Sequence, residues 1–162
     1  MNKVRNFAIM LGTLFLFIII FLVLSVTTKK PQKAYDFAAG THTGEVINLY
    51  DNLGKTPTAL MFFDPEIEGS NTVLSKLIAK KDGFDIVAIS VSALPEQKQK
   101  ELLPENWDTV SHLCFEGSEA IEKYNIGNAP ITYFIDKDGY IIDAYVGNIK
   151  ETSIEKLIKK LA

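Results

Sequence analysis

The residues from Thr58 to Leu77, TALMFFDPEIEGSNTVLSKL, constrain the fold more than any other part of the sequence. Thr58 to Phe63 is a short apolar run, which is typical of a strand buried on both faces. Asp64 and Pro65 interrupt it, and after residue 70 the apolar residues recur at the spacing of a helix. The sequence therefore predicts a strand, a short loop and a helix in direct succession.

The second constraint is the segment Tyr124 to Gly139, YNIGNAPITYFIDKDG. Ile131 to Ile135 and Tyr140 to Val146 are apolar runs separated by Asp138-Gly139, a pair that favours a tight hairpin turn. Apolar residues in Glu151 to Leu161 then follow helical spacing. This half of the chain predicts a two-strand hairpin followed by a final helix.

Other runs predict shorter elements between these two segments. Strands are expected on both sides of the polar turn GTHTGE, in the apolar run that follows Asp82-Gly83, and around the single cysteine. The predicted strands are Tyr35 to Ala38, Val46 to Leu49, Phe84 to Val91 and Ser111 to Phe115. Helices are predicted for Pro95 to Leu103 and for Ser118 to Tyr124, with Ser118 as the cap. Alternating strands and helices indicate a three-layer α/β domain.

The two long segments resemble the thioredoxin superfamily, especially its membrane-anchored thiol-disulfide oxidoreductases of the cytochrome c maturation and alkyl hydroperoxide reductase type. The resemblance runs from about Phe37 to Leu161. It implies a central mixed sheet and a cis peptide bond between Ala129 and Pro130. It also places this chain's Ile67 and Ser70 where the family carries the two cysteines of a CxxC motif.

That replacement removes the chemistry of disulfide exchange from the loop. Exchange requires a thiolate that attacks a disulfide sulfur and a second thiol that resolves the mixed disulfide. Ile67 has no ionisable atom, and the hydroxyl of Ser70 has a pKa far too high for this exchange. Ser70 or Asn71 is interpreted as the helix cap, which predicts a helix that starts near Ser70.

Cys114 is the chain's one cysteine, so the chain cannot form an intramolecular disulfide. It lies in the apolar run SHLCF, which favours a buried structural thiol over a reactive one. His112 is close by, but one histidine and one cysteine are too few ligands for a closed metal site. We expect neither a metal nor a cofactor.

Two groups of acidic residues have ordinary explanations. Asp64, Glu66 and Glu68 crowd the loop before the helix, and could form a cation site or a general acid/base pair. A solvated acidic loop at a helix N-terminus is favoured instead. The run Asp136 to Gly139 lacks the remaining ligands of a calcium loop, and a hairpin turn accounts for it.

The N-terminal part of the chain predicts a membrane anchor. Phe7 to Val26 is twenty residues without a charge, long enough as a helix to cross the roughly 30 Å hydrocarbon core of a bilayer. A cleaved signal peptide is the alternative, although its apolar core is usually shorter. We therefore expect a basic N-terminus at 1–6, an anchor at 7–26, a stalk at 27–34 and the α/β domain at 35–162. Flanking lysines and arginine do not fix the orientation, and the resemblance favours a domain outside the cell membrane.

Charge excludes one class of partner. Residues 1–33 hold five basic and no acidic side chains, so the remaining 129 residues carry twelve bases against twenty acids, a net charge of −8. Such a domain repels phosphate backbones, so nucleic acid is not an expected partner. The sequence also lacks the phosphate-loop and serine-hydrolase signatures.

The function predicted from these observations is redox-inactive binding of a protein or an extended peptide at the outer face of the cell membrane. In the superfamily the loop before the helix and the cis-proline loop form a groove whose backbone pairs with a peptide by strand addition. The corresponding residues here are Asp64, Glu66, Ile67, Glu68, Gly69, Ser70, Ala129, Pro130 and Ile131. Two alternatives remain open: a thiol-disulfide oxidoreductase that uses Cys114 or a partner's thiol, and a structural subunit of a membrane complex.

Overall fold

The computed structural model describes residues 31–161. The predicted N-terminus and anchor, and the first half of the predicted stalk, lie outside this range. Within residues 31–161, no helix combines the length and the apolar character needed to cross a bilayer.

Seven strands and five helices make up the described part of the chain. The strands are β1 (Ala38–Gly40), β2 (Val46–Asn48), β3 (Thr58–Phe63), β4 (Asp85–Ser90), β5 (His112–Cys114), β6 (Ile131–Ile135) and β7 (Ile141–Val146). The helices are α1 (Leu49–Asn52), α2 (Glu68–Ile78), α3 (Glu96–Leu102), α4 (Ser118–Lys123) and α5 (Glu151–Leu161). The predicted strand at Thr58 to Phe63 and the predicted last helix are confirmed at both ends.

Five strands form one mixed sheet in the order β5-β4-β3-β6-β7. Strands β3, β4 and β5 are parallel, β6 runs antiparallel to β3, and β7 runs antiparallel to β6 and therefore in the direction of β3. Every residue of β3 is buried, as expected for the central strand of a sheet covered on both faces. The prediction of a central mixed sheet is confirmed.

Alternate residues of β3 belong to two separate cores, one on each face of the sheet. Met61 and Phe63 pack with helices α2 and α5, through residues such as Leu74 and Leu157. Leu60 and Phe62 belong to the other core, which is built from the N-terminal segment and α4. The period-two alternation of a strand thus produces the three layers that the sequence predicts.

Part of each edge of the sheet is covered by residues 32–42. On the β5 side, the N–H of His42 donates to the carbonyl of Leu113 at 2.7 Å. On the β7 side, the N–H of Ile141 donates to the carbonyl of Gln32, and the N–H of Ala34 donates to the carbonyl of Gly139, both at 2.8 Å. These bonds satisfy edge groups that would otherwise be open to pairing with another chain.

The predicted strand Tyr35 to Ala38 is wrong, because β1 begins only at its last residue. The carboxylate of Asp36 accepts the N–H groups of Phe37 and Tyr50, each at 3.0 Å. Local pairing with an aspartate competes with a strand ladder. The predicted strand Val46 to Leu49 ends one residue too late, because Leu49 starts the short helix α1. The next residue of that helix, Tyr50, is the one whose N–H donates to Asp36.

Ser118 is not the cap of helix α4. Gly117 occupies that position, and its carbonyl accepts the N–H of Ile121 at 2.9 Å. A Cβ atom at residue 117 would lie 2.3 Å from Cγ2 of Ile89, so the close approach to β4 requires glycine. Tertiary packing, rather than side-chain capping, sets this helix start.

Candidate functional site

Pairing of β3 with β6 brings two loops together at one end of the sheet. Phe62, near the end of β3, lies opposite Ile131, the first residue of β6. The loop that follows β3 therefore adjoins residues 127–130, which precede β6. The peptide bond between Ala129 and Pro130 is cis, as predicted.

The loop after β3 is held by its own backbone. The N–H of Ile67 donates to the carbonyl of Asp64 at 3.0 Å, and the N–H of Glu66 donates to the Asp64 carboxylate at 3.0 Å. The N–H of Ser70 then donates to the carbonyl of Ile67 at 2.8 Å. Ile67 is thereby the N-cap of α2, although its side chain makes no capping bond.

The prediction that Ser70 or Asn71 caps the helix is wrong, and the helix begins two residues earlier than predicted. The Ser70 hydroxyl instead accepts the N–H of Asp64 at 3.2 Å. The Asn71 amide donates to the carbonyls of Pro65 at 2.9 Å and Leu102 at 3.0 Å. Both polar side chains are used to fix the loop over the helix, which leaves neither available to cap it.

The two positions that replace cysteines differ in accessibility. The Ile67 side chain is 41% exposed, whereas Ser70 is completely buried. One helical turn separates them, so the first is presented to solvent and the second lies beneath it.

A cavity of about 400 Å³ lies between the two loops. Its lining comprises Asp64, Ile67, Val91, Ile121, Ile126, Gly127, Asn128 and Ala129. Three of these, Asp64, Ile67 and Ala129, are among the residues that the sequence singles out. The structure adds Val91 from the end of β4 and Ile121 from α4. Only the parallel order of β3 and β4 brings Val91 here, and no local pattern marks it.

The other predicted residues lie around the cavity rather than in its lining. Glu66 and Glu68 are exposed, and Glu66 accepts the hydroxyl of Ser92 at 3.3 Å. Pro130 is buried, while Gly69 and Ile131 are half-buried.

The backbone of residues 127–129 is open. Within residues 31–161, the backbone N–H and carbonyl groups of Gly127, Asn128 and Ala129 make no hydrogen bond to other protein groups. Pro130 is different, because its carbonyl accepts the N–H of Gly147 at 2.8 Å. The cavity is thus bordered by backbone donors and acceptors that an extended chain can pair with.

Cys114 lies elsewhere, completely buried on β5 in the core that contains Leu60 and Phe62. Burial raises the pKa of its thiol to about 12. Burial also lowers the pKa of His112. The part of the chain that the structure describes contains no group of three His, Cys, Asp or Glu residues placed to hold a metal ion. The structure therefore confirms a buried cysteine, and Cys114 is not among the residues that line the cavity.

Comparisons with known proteins agree with this architecture. No protein-family model matches the chain. The thioredoxin-like protein YneN from Bacillus subtilis (strain 168) is 26% identical over 136 residues, which cover 81% of this chain and 79% of the relative.

Solved structures resemble the domain along almost their whole length. A protein assigned as the thiol:disulfide interchange protein DsbE from Chlorobium tepidum superposes with a TM-score of 0.69 at 22% identity, over 82% of this chain and 97% of that one. StoA from Bacillus subtilis superposes with a TM-score of 0.62 at 18% identity, over 78% and 98% respectively. The chain therefore has the thioredoxin-like fold of thiol:disulfide interchange proteins, and its sequence contains one cysteine.

Proposed function

We propose that this domain binds an extended segment of a protein partner in the groove between the Ile67 loop and residues 127–129, without redox chemistry. The open backbone of Gly127 to Ala129 beside the 400 Å³ cavity is the observation that carries the proposal. Backbone pairing supplies affinity in strand addition, and cavities beside the pairing edge accept side chains of the peptide. Ile67, at 41% exposure, offers an apolar contact where a reactive thiol would stand.

The proposal includes a tether. The uncharged residues 7–26 anchor the chain in the cell membrane, with the domain on the extracytoplasmic side. The partner is accordingly a protein or peptide that reaches the outer face of the cell membrane. A catalytic role for Cys114 has less support, because a buried thiol with a raised pKa forms little thiolate at neutral pH.

A photoreactive amino acid at Ile67 or Ile131, introduced into the full-length protein in intact cells, tests the proposal. We expect both positions to crosslink to the same protein partner. Tyr140 is the matched control, because it is exposed and lies at the other end of the β6–β7 hairpin. Equal capture at all three positions, or no protein captured at Ile67 and Ile131, would contradict binding in the groove.

The structural-subunit alternative predicts that a point change at the groove leaves the interaction with the partner intact in the same cells. The change Ile67→Glu places a charge at the groove without touching the core, since Ile67 is an exposed loop residue. If the partner binds in the groove, we expect this variant to lose the partner captured by the photoreactive amino acid at Ile131. A partner that co-purifies equally with the Ile67→Glu protein would assign the interaction to another surface.

A further inference from the structure

We propose that the groove extends across the ends of three parallel strands and selects a peptide segment that carries lysine or arginine. This inference rests on the proposed function and specifies its ligand. It begins from a second cavity of about 360 Å³ beside the first. The second cavity is lined by Ser90, Val91, Ser92, Phe115, Glu116, Gly117, Ser118 and Ile121.

The cavities are continuous along the sheet. Val91 and Ile121 line both the first and the second. Phe115 and Glu116 line the second and also a third cavity of about 210 Å³, which reaches Gly40 and Thr41. The three cavities therefore form one path from Ile67 to the β1–β2 hairpin.

The register of the sheet explains this path. Phe63 of β3 pairs with Ser90 of β4, and Ile89 of β4 pairs with Cys114 of β5. The carboxyl ends of the three strands consequently lie side by side, which is where open α/β sheets bind ligands. Asp64 and Glu116 follow the outer two of these three ends.

The charged residues that line the path are all acidic: Asp64, Glu96 and Glu116. Glu96 is paired with Lys100 at 2.5 Å. Among residues 31–161, no basic group lies within 4.0 Å of the Asp64 or Glu116 carboxylates. Two unneutralised acids beside the groove favour a cationic ligand and disfavour an anionic one.

The spacing of the strand ends sets the spacing of the cations. Two strand spacings separate the ends of β3 and β5, about 10 Å. Neighbouring side chains on one face of an extended chain are two residues, or about 7 Å, apart. Because the lysine side chain is long and flexible, a segment with basic residues two apart can place one beside Asp64 and the other beside Glu116.

Fluorescence anisotropy on the full-length protein in a nonionic detergent tests this inference. The probes are three labelled twelve-residue peptides of serine, threonine and valine, identical except that the fourth and sixth residues are lysine, glutamine or glutamate. We expect the lysine peptide to bind about tenfold more tightly than the glutamine peptide, and the glutamate peptide to bind most weakly. The preference for lysine should weaken as salt concentration rises.

The variant Glu116→Gln removes one charge while preserving side-chain shape, and we expect it to abolish most of the preference for lysine. Asp138→Asn is the matched control, because Asp138 is an exposed acid in the turn at the other end of β6. This control should retain the full preference. Equal losses in the two variants would contradict a role for Glu116 and would reduce the effect to overall charge.

The remaining outcomes separate this inference from the proposed function. Equal binding of the lysine and glutamine peptides, lost in Ile67→Gln, overturns the inference and supports the groove. Lysine-selective binding that survives Ile67→Gln unchanged overturns the proposed groove, and absence of binding by all three peptides overturns both. Self-association that Glu116→Gln abolishes would assign the surface to a second copy and overturn the peptide as its occupant.

Discussion

A thiol-based redox site needs a thiol at an accessible position at the start of a helix. In this protein the Ile67 loop provides the position and strand β5 carries the thiol. The loop offers an accessible position at the start of an eleven-residue helix, but no thiol. Strand β5 holds the thiol of Cys114, but buries it completely and raises its pKa to about 12. The comparison shows that a cysteine acquires its reactivity from position, because helix N-termini favour the thiolate and apolar burial disfavours it.

The largest effect is expected when two thiols are introduced into the loop with Ile67→Cys and Ser70→Cys together, because the position and the thiol then coincide. We expect a disulfide to form between them, since one helical turn joins an exposed position to a buried one beneath it. The double variant should gain dithiothreitol-dependent insulin reduction from a background of zero. Thiol titration and turbidity measure the two effects.

The single variant Ile67→Cys is the matched control for that gain. It should react rapidly with iodoacetamide in the native protein and form mixed disulfides, but should not turn over, because no resolving thiol is present. Native Cys114 should remain unmodified in the same reaction. Failure of the double variant to form a disulfide would show that the loop no longer has the geometry of a redox site.

A smaller effect is expected on alkaline stability. The folded-state pKa of Cys114 is about 12, above the ordinary thiol value, so the folded state keeps the proton after the unfolded state has lost it. The stabilising contribution is complete below about pH 8.5 and is lost as pH rises toward 12, by an amount on the order of 4 kcal/mol. Denaturant unfolding followed by the single tryptophan, Trp107, measures this loss.

The variant Cys114→Ala isolates the thiol from other groups that titrate at high pH. It should have a lower free energy of unfolding at neutral pH because of the small cavity left behind, and a shallower decline above pH 8.5. An identical alkaline decline in the two proteins would contradict a thiol buried in the folded state.

The smallest effect concerns Ser70, whose hydroxyl accepts the Asp64 N–H. Ser70→Ala should lower the free energy of unfolding by about 1 kcal/mol, because it leaves that donor without its partner. Ser75→Ala lies in the same helix, where the exposed Ser75 hydroxyl donates to the Asn71 carbonyl at 2.8 Å. We expect a change within about 0.5 kcal/mol for this control. Equal losses would assign the Ser70 effect to the helix instead of the loop.

The sequence predicts most of the fold because its apolar periods are strong. Thr58–Phe63 and Glu151–Leu161 begin and end where the patterns do. The predicted helix caps Ser70 and Ser118 are both wrong, because a tertiary contact outweighs a local capping preference at each position. The Ser70 hydroxyl is occupied by Asp64, and Gly117 is required by its approach to Ile89.

The sequence predicts only those site residues that lie in recognisable local segments of the chain. Ile67 and Ala129 are found because each belongs to a recognisable local segment. Val91 and Glu116 reach the groove through strand order and register, which no short motif encodes. Residues of this kind become visible only when the parallel strands are laid side by side.

The pairing of Lys33 with Tyr140 places the start of the described chain at one end of the sheet. Tyr140 follows the hairpin turn, whereas Pro130 and the groove lie at the other end of the five-residue strand β6. The two ends are separated by about 17 Å of strand. The segment around Lys33 therefore pairs beside the hairpin turn and leaves the backbone of residues 127–129 open to an extended chain.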